Sequence, residues 1–184
     1  MERKPYKNSV ENKSRIIFSL AEIMANKPFH AVSVTEVCKK AGVSKNTFYR
    51  HFESLSDVIY QSIGEINREM VENYSKTTHK STDDFILFTC AVWYKNRAVY
   101  RGFTQDEVIY IIHRTIKKNV EEYLSLHSIE KKGDKLFGEF FATVFCMFLC
   151  WWSKEDFSET PEEIAAQIKF YLCENVLLRT EPVF

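Results

Sequence analysis

The chain has 184 residues, of which 45% are hydrophobic and 27% charged, a balance typical of a folded globular protein that excludes a disordered chain. Five glycines and four prolines leave few positions at which a helix must break, so a mostly helical fold is expected. The net charge is zero, yet residues 1–52 carry ten Lys and Arg against four Asp and Glu, whereas residues 53–184 carry fifteen against twenty-one. Either this asymmetry is chance, or only the basic N-terminal part contacts a polyanion.

The five cysteines are an odd number and lie mostly in apolar surroundings. No charged start is followed by an apolar run, so no signal peptide is expected, and we expect buried, reduced thiols in a cytoplasmic protein. Cys146 and Cys150 are four residues apart and would share one face of a helix. Because no His or second Cys pair lies near them, core packing is favoured over metal binding. We therefore expect neither a metal nor a cofactor.

Apolar periodicity and capping residues predict four helices in the first 74 residues. Ser33 and Glu36 form a capping-box pattern, in which the serine hydroxyl accepts from the Glu36 amide and the Glu36 carboxylate reaches back. Gly42 supplies a turn, and Ser44 and Ser54 can cap the two helices that follow. The predicted helices span residues 10–25, 33–41, 45–51 and 54–74, and a polar connection follows at 75–81.

Four further helices are predicted at residues 82–99, 106–126, 135–152 and 161–179, with a break near Arg101-Gly102 and a capping pattern at Thr160 and Glu163. Residues 140–152 are apolar at every position but Thr143. This segment is too short to span a bilayer, which requires about 20 residues. A helix that is apolar all round must be buried on both sides. We expect one side to pack on its own chain and the other on a second copy.

The short second and third helices, joined by residues 41–44 within the basic segment, predict a helix-turn-helix whose later helix enters the major groove of DNA. Phe48 and Phe52 are four residues apart and can anchor the later helix to the core. The opposite face then carries groups that suit base edges and phosphates, namely Lys45, Asn46, Tyr49 and Arg50. Two packed helices with a short turn are also a common structural element, so this pattern alone leaves plain packing open.

Residues 34–52, VTEVCKKAGVSKNTFYRHF, resemble the signature of the TetR family of transcription regulators, a turn Ala-Gly-Val-Ser followed by Thr-Phe-Tyr-x-His-Phe. The resemblance spans about residues 15–60. It implies an all-α fold with an N-terminal three-helix helix-turn-helix DNA-binding domain, residues 1–53, and a C-terminal helical ligand-binding and dimerisation domain, residues 54–184. Two features resemble the branch of the family that contains the dihydroxyacetone-kinase activator: the sequence Lys27-Pro28-Phe29, which precedes the second helix, and the aromatic penultimate helix.

The resemblance also implies roles for individual residues of this chain. Thr35 would lie near bases or phosphate. The groove face would hold Lys45, Asn46, Tyr49 and Arg50, and the DNA backbone would be contacted by Ser33, Ser44, Thr47 and His51. The sequence departs from the family at Leu55, where a phosphate-binding Lys is usual. We therefore expect DNA affinity to depend more on Lys39, Lys40 and an N-terminal arm of Arg3, Lys4 and Lys7, although a solvated tail is the favoured interpretation of that arm.

The function implied is a sequence-specific regulator that binds a palindromic operator in double-stranded DNA as a homodimer through its last two helices, about 135–153 and 161–179. We expect a repressor that a small-molecule effector releases; an activator of the same fold, or a helical interaction bundle without DNA binding, are the alternatives. Sequence motifs of hydrolases, metalloproteases and phosphate-binding loops are missing, so we expect no catalytic residues. Effector contacts are expected among residues for which plain core packing is the alternative: Trp93, Tyr94, Phe103, Tyr110, His113 and Phe141.

Overall fold

The computed structural model describes residues 4–77, 81–126 and 134–171, and all regular structure in these ranges is helical. This confirms the predicted all-α fold. None of the described helices has the length and apolarity needed to cross a membrane. The helices are α1 Lys4–Met24, α2 Val34–Ala41, α3 Lys45–His51, α4 Leu55–Ser75, α5 Thr82–Lys95, α6 Arg97–Phe103, α7 Ile109–Leu126, α8 Asp134–Lys154 and α9 Pro161–Lys169, with a 3-10 turn at Phe29–Ala31.

Helix α1 is longer than the sequence predicted, because it begins at Lys4 rather than at Val10. Lys4 and Lys7 of the predicted arm are therefore helical, whereas Arg3 lies outside the described residues. The inner face of α1 buries Ile16, Leu20 and Met24 almost completely. It packs against α2, α3, α4 and α6, so a single helix contacts both the helix-turn-helix and the rest of the chain.

The helix-turn-helix is built largely as its capping residues predict. The Ser33 hydroxyl accepts a hydrogen bond from the Glu36 amide at 3.2 Å, and Gly42 ends α2 with a φ of 63°, a conformation that glycine adopts at little cost. The second half of the predicted capping box is wrong. The Glu36 carboxylate instead pairs with Lys27 Nζ at 2.7 Å, and that hydrogen bond lowers the pKa of Glu36.

The helix predicted at residues 82–99 is divided earlier than expected. Helix α5 ends at Lys95, where the Asn96 side chain donates to the carbonyl of Val92 at 2.9 Å, and α6 follows at once. The predicted break at Arg101-Gly102 is wrong, since both residues lie inside α6. Gly102 serves close packing instead of a turn. A Cβ atom at this position would lie 2.1 Å from the carbonyl oxygen of Ala21, so only glycine lets α1 and α6 approach this closely.

Helices α7, α8 and α9 follow the sequence predictions closely within the described residues. The segment 104–108 precedes α7, which begins at Ile109 rather than at residue 106. Helix α9 opens with the predicted capping box between Thr160 and Glu163, and its predicted extension to residue 179 runs beyond the described residues. Helix α7 packs on α8, and α5 packs on α9. One face of α8 is buried in the core through Ala142, Phe145, Leu149 and Trp152.

Candidate nucleic-acid interface and effector domain

Helix α3, Lys45–His51, presents one face to solvent. The Ser44 hydroxyl caps it by accepting from the Thr47 amide at 3.1 Å. The four residues predicted for the groove face are all exposed, with 57% of Tyr49 accessible: Lys45, Asn46, Tyr49 and Arg50. No salt bridge engages their charged groups among the described residues. The helix therefore offers a free amide, a phenol and two free cations, which are groups suited to base edges and phosphates.

The opposite face of α3 fixes the helix to its own domain. Phe48 is fully buried and Phe52 nearly so, with ring centroids 5.9 Å apart. Lys13 of α1 lies over the Phe52 ring at 5.7 Å, and Arg15 donates to the carbonyl of Gly42 at 3.3 Å. Helix α1 thus contacts both the turn at Gly42 and the end of α3, which fixes the orientation of the exposed face of α3.

The residues predicted to contact the DNA backbone differ in exposure. Ser33, Thr35 and Ser44 are exposed, whereas Thr47 and His51 are half-buried. The Nε2 atom of His51 is buried and has no hydrogen-bond partner among the described residues. Burial, with the charges of Arg50 and Lys13, lowers the pKa of His51 and so favours its uncharged imidazole.

Leu55 stands where a phosphate-binding Lys is usual in the family, and the structure shows how the chain is arranged at this site and at the nearby cations of α2. Leu55 opens α4 half-buried and packs against the core, so a cation is replaced by packing at this site. Lys39 and Lys40 are both exposed at the end of α2. Lys40 pairs with Glu22 at 2.8 Å, which makes Lys39 the freer of the two for DNA.

A contact that sequence reasoning missed joins the segment 104–108 to the connection between α1 and α2. The Gln105 amide donates to the carbonyls of Met24 and of Lys27, the latter at 2.9 Å, and its Oε1 accepts from the Phe29 amide at 2.9 Å. Glu107 accepts from the backbone amide of His30 at 2.9 Å and contacts its ring at 2.6 Å, which lowers the pKa of the carboxyl. These hydrogen bonds link residues more than 70 positions apart, so no local sequence pattern could have predicted them.

A stripe of large apolar side chains on α8 faces away from the core. Its members recur at helical spacing and are exposed, Met147 by 67%: Leu136, Phe140, Met147 and Trp151. Phe170 and Tyr171, after α9, are exposed as well, and Tyr171 contacts Phe148 with ring centroids 5.9 Å apart. The apolar pattern of residues 140–152 therefore corresponds to one core face and one exposed face.

The six residues predicted as effector contacts do not gather around one cavity. Trp93 and Phe103 are buried, whereas 62% of Tyr110 is exposed. The other three are half-buried and engaged locally, Tyr94 stacked on Trp152, Phe141 stacked on Phe145, and His113 Nε2 3.1 Å from Thr143 Oγ1. Of these six residues, Trp93 alone lines the small cavity between α4 and α5 in the described part of the chain.

In the described part of the chain, several grooves and a small internal cavity lie along α4. An open groove of about 860 Å³ between α4 and α7 is lined by charges of both signs, among them Arg68, Arg114 and Glu122. A second groove of about 290 Å³ lies between α4 and α5. The internal cavity has a volume of about 10 Å³ and lies between Trp93 of α5 and Asn67 of α4, whose Nδ2 is buried and has no hydrogen-bond partner among the residues that the structure describes.

Comparison with known proteins agrees with this architecture. Residues 16–58 match the model of bacterial regulatory proteins of the tetR family, and residues 80–172 match a transcriptional regulator C-terminal region. No curated protein matches the sequence significantly. The fold and the exposed face of α3 define a DNA-binding transcriptional regulator of the helix-turn-helix type. The chain belongs to the tetR family of bacterial regulatory proteins.

Solved structures share the fold at low sequence identity. Lin0861 from Listeria innocua superposes with a TM-score of 0.75 at 14% identity, over 92% of this chain and 93% of that one. The regulator FadR from Bacillus subtilis, in complex with stearoyl-CoA, gives 0.61 at 14% identity, over 89% and 98%. The dihydroxyacetone kinase operon activator DhaS gives 0.58 at 14% identity, over 85% and 91%. At such identities the likeness establishes the fold and does not assign the chain to one branch.

Proposed function

We propose that this protein is a sequence-specific repressor that binds a palindromic operator as a homodimer and is released by a small-molecule effector. The observation that carries the proposal is the exposed, cationic and amide-bearing face of α3, held in place by buried Phe48 and Phe52. A head of residues 1–53 reads DNA and a body of residues 54–184 dimerises and senses the effector. Tyr49, Lys45 and Asn46 are the residues placed to contact bases.

The dimer in this proposal is formed by the α8 stripe of Leu136, Phe140, Met147 and Trp151. Exposed apolar side chains at helical spacing are unfavourable in water, and covering them with a second copy removes that cost. Two symmetric heads also explain a palindromic site, because each reads one half-site about 34–36 Å from the other. A single head would bind weakly and with little specificity.

Repression is the simplest regulatory outcome of this architecture. A repressor needs only to occupy its site, and the head with the dimer surface is sufficient for occupancy. The structural neighbours include an operon activator, so activation is the alternative outcome to be tested. Transcription from a promoter that carries the selected operator, with purified polymerase, separates the two, since a repressor lowers and an activator raises the transcript.

DNA binding is tested by selecting bound sequences from a random library and titrating the selected duplex by fluorescence anisotropy. A head that neutralises phosphates loses affinity steeply between about 50 and 200 mM salt, and we expect a loss of at least about tenfold. Tyr49→Ala should weaken specific binding by about tenfold or more. The matched control is Tyr110→Ala, since Tyr110 is similarly exposed but lies on α7. Equal affinities of the two variants, or binding insensitive to salt, would contradict the proposal.

A further inference from the structure

Two cysteines lie one helical turn apart on α8. Cys146 is 5% exposed, whereas Cys150 is half-buried. Side chains four residues apart on a helix are neighbours, with Cβ atoms about 5–6 Å apart. Cys38 on α2 and Cys90 on α5 are both buried. Among the cysteines that the structure describes, Cys150 is therefore the one that solvent reaches, and it has a second thiol beside it.

The surroundings of this pair make Cys150 the more reactive of the two thiols. A hydrogen bond from the Cys146 thiol lowers the pKa of Cys150 against the opposing effect of burial, and the Lys154 ammonium, one turn further along α8, lowers it as well. The same hydrogen bond, together with burial, raises the pKa of Cys146. The thiolate is the nucleophilic form of cysteine. The pair thus combines a sulfur that ionises readily with a protonated thiol in contact with it.

The spacing of the two thiols favours a bridging atom over a direct disulfide. A disulfide requires Cβ atoms about 3.5–4.5 Å apart, which is less than the distance across one helical turn, so closing it would distort α8. An atom placed between the two sulfurs adds a bond and spans the turn without that distortion. Thiolates select soft acceptors. A structural zinc site takes four ligands, and the described residues contain no group of three potential metal ligands. The pair therefore suits a soft acceptor that needs only two sulfurs.

We infer that Cys146 and Cys150 form a binding site for a thiophilic electrophile, an organic trivalent arsenical, which bridges the two sulfurs across one turn of α8. The reaction with an arsenoxide is a condensation without change of oxidation state. The Cys150 sulfur attacks arsenic first, and the Cys146 sulfur then closes the ring. Two arsenic–sulfur bonds replace the arsenic–oxygen bond, and the two thiol protons leave with that oxygen as one water molecule.

The pair lies close to the segment 104–108, which precedes α7. The hydroxyl groups of Thr104 and Ser153 are hydrogen-bonded at 2.7 Å, so the end of α8 contacts the start of this segment. The Asp106 carboxylate is near enough to Cys150 to act on its pKa, in the direction opposite to Lys154. A group attached to Cys150 would therefore border the segment.

The segment 104–108 in turn supports the DNA-binding head. Gln105 and Glu107, on either side of Asp106, hydrogen-bond to the connection between α1 and α2. An arsenical on Cys150 should displace the segment by its bulk and so disturb these contacts. The binding site itself goes beyond the proposed function and rests on it only for this effect on DNA binding.

The site is tested on the full-length protein with phenylarsine oxide. After a wash with glutathione, intact-mass spectrometry should show one arsenical per chain with the loss of one water molecule, and digestion should map the bridge to Cys146 and Cys150. A chelate of two sulfurs resists a monothiol such as glutathione, whereas the dithiol 2,3-dimercaptopropanol should remove the arsenical. Complete removal by glutathione, or a bridge between other cysteines, would overturn the inference.

Two variants test the need for both thiols. Cys150→Ser and Cys146→Ala should each lower the affinity for phenylarsine oxide by at least about tenfold, because the second arsenic–sulfur bond forms within one molecule. Cys38→Ala is the matched control, since Cys38 has the same 5% exposure as Cys146 but lies on α2. Equal losses in all three variants would refute the assignment. Cys150→Ser replaces one atom of a half-buried side chain, so the comparison stands even if Cys146→Ala fails to fold.

DNA binding is measured separately by anisotropy, with and without phenylarsine oxide. DNA binding without a stable adduct removes only this site, whereas a stable adduct on a protein that binds no DNA removes only the proposed function. When both are present, the arsenical should weaken DNA binding of the native protein and leave that of Cys150→Ser unaffected at the same concentration. Equal weakening of both proteins would show that the arsenical acts elsewhere.

Discussion

Replacement of Gly102 by alanine should separate α1 from α6. The added Cβ would lie 2.1 Å from the carbonyl oxygen of Ala21 and 2.7 Å from its carbonyl carbon and Cα. All three are backbone atoms, so no rotamer change relieves the clash and one helix must shift. Overpacking of this kind destabilises by about 1–3 kcal/mol, or more where the backbone resists. The better helix propensity of alanine offsets about 1 kcal/mol of that cost.

Because only backbone atoms meet the added Cβ, the cost should lie at the upper end of that range, and the net effect expected for Gly102→Ala is a loss of about 2 kcal/mol, or about 4–8 °C in Tm for a chain of this length. Urea unfolding followed by circular dichroism at a fixed protein concentration measures it. Gly64→Ala is the matched control, because Gly64 also lies inside a helix but a Cβ there would meet nothing within 4 Å. That variant should gain about 0.5–1 kcal/mol. A Gly102→Ala protein as stable as Gly64→Ala would refute the close-approach argument.

Three further predictions concern the domain contact, the dimer and the head. Gln105→Ala removes the hydrogen-bond partner of three backbone groups in the connection at residues 24–29, and it should lower the free energy of unfolding by about 1–3 kcal/mol. An unchanged urea unfolding curve would contradict this. Met147→Glu should produce a folded monomer in analytical ultracentrifugation, and a persistent dimer would exclude the α8 stripe as the interface. His51 has a folded-state pKa below its unfolded value of about 6.5, so the unfolded state binds more protons and stability falls as pH drops through this range. His51→Gln should flatten that dependence in urea titrations between about pH 7 and 5, and an unchanged slope would assign it to other groups.

The helix-turn-helix could be predicted almost entirely because its determinants are local. Ser33, Gly42 and Ser44 act within four residues of the groups that they cap or turn, and Phe48 and Phe52 lie on one helix face by spacing alone. Glu36 is the exception, because its carboxylate pairs with Lys27, which precedes α2, and does not cap the start of α2. A cap pattern predicts which groups are available and does not decide between competing partners.

The body was predictable in outline and not in its contacts. Gly102 reads as a helix break in the sequence, and only the position of Ala21, 81 residues earlier, explains why a glycine stands inside α6. The six aromatic and histidine residues proposed as effector contacts share a helical pattern with ordinary core residues, and the structure places them at separate sites. Asn67 carries no motif at all. Its significance comes from the burial of its Nδ2 atom with no hydrogen-bond partner in the described part of the chain, a property of tertiary packing.

The contact of α1 with α6 and with the segment 104–108 bears on how such regulators can be recombined. A chimera made by joining residues 1–53 to another body would lose the glycine at 102 and the Gln105 and Glu107 contacts on which its first helix rests. The transplanted head would read the same DNA but would no longer be oriented by the new body. Grafts that carry residues 97–108 along with residues 1–53 should retain these contacts. The unit of exchange in this protein is therefore a discontinuous one, made of two segments that are distant in the chain.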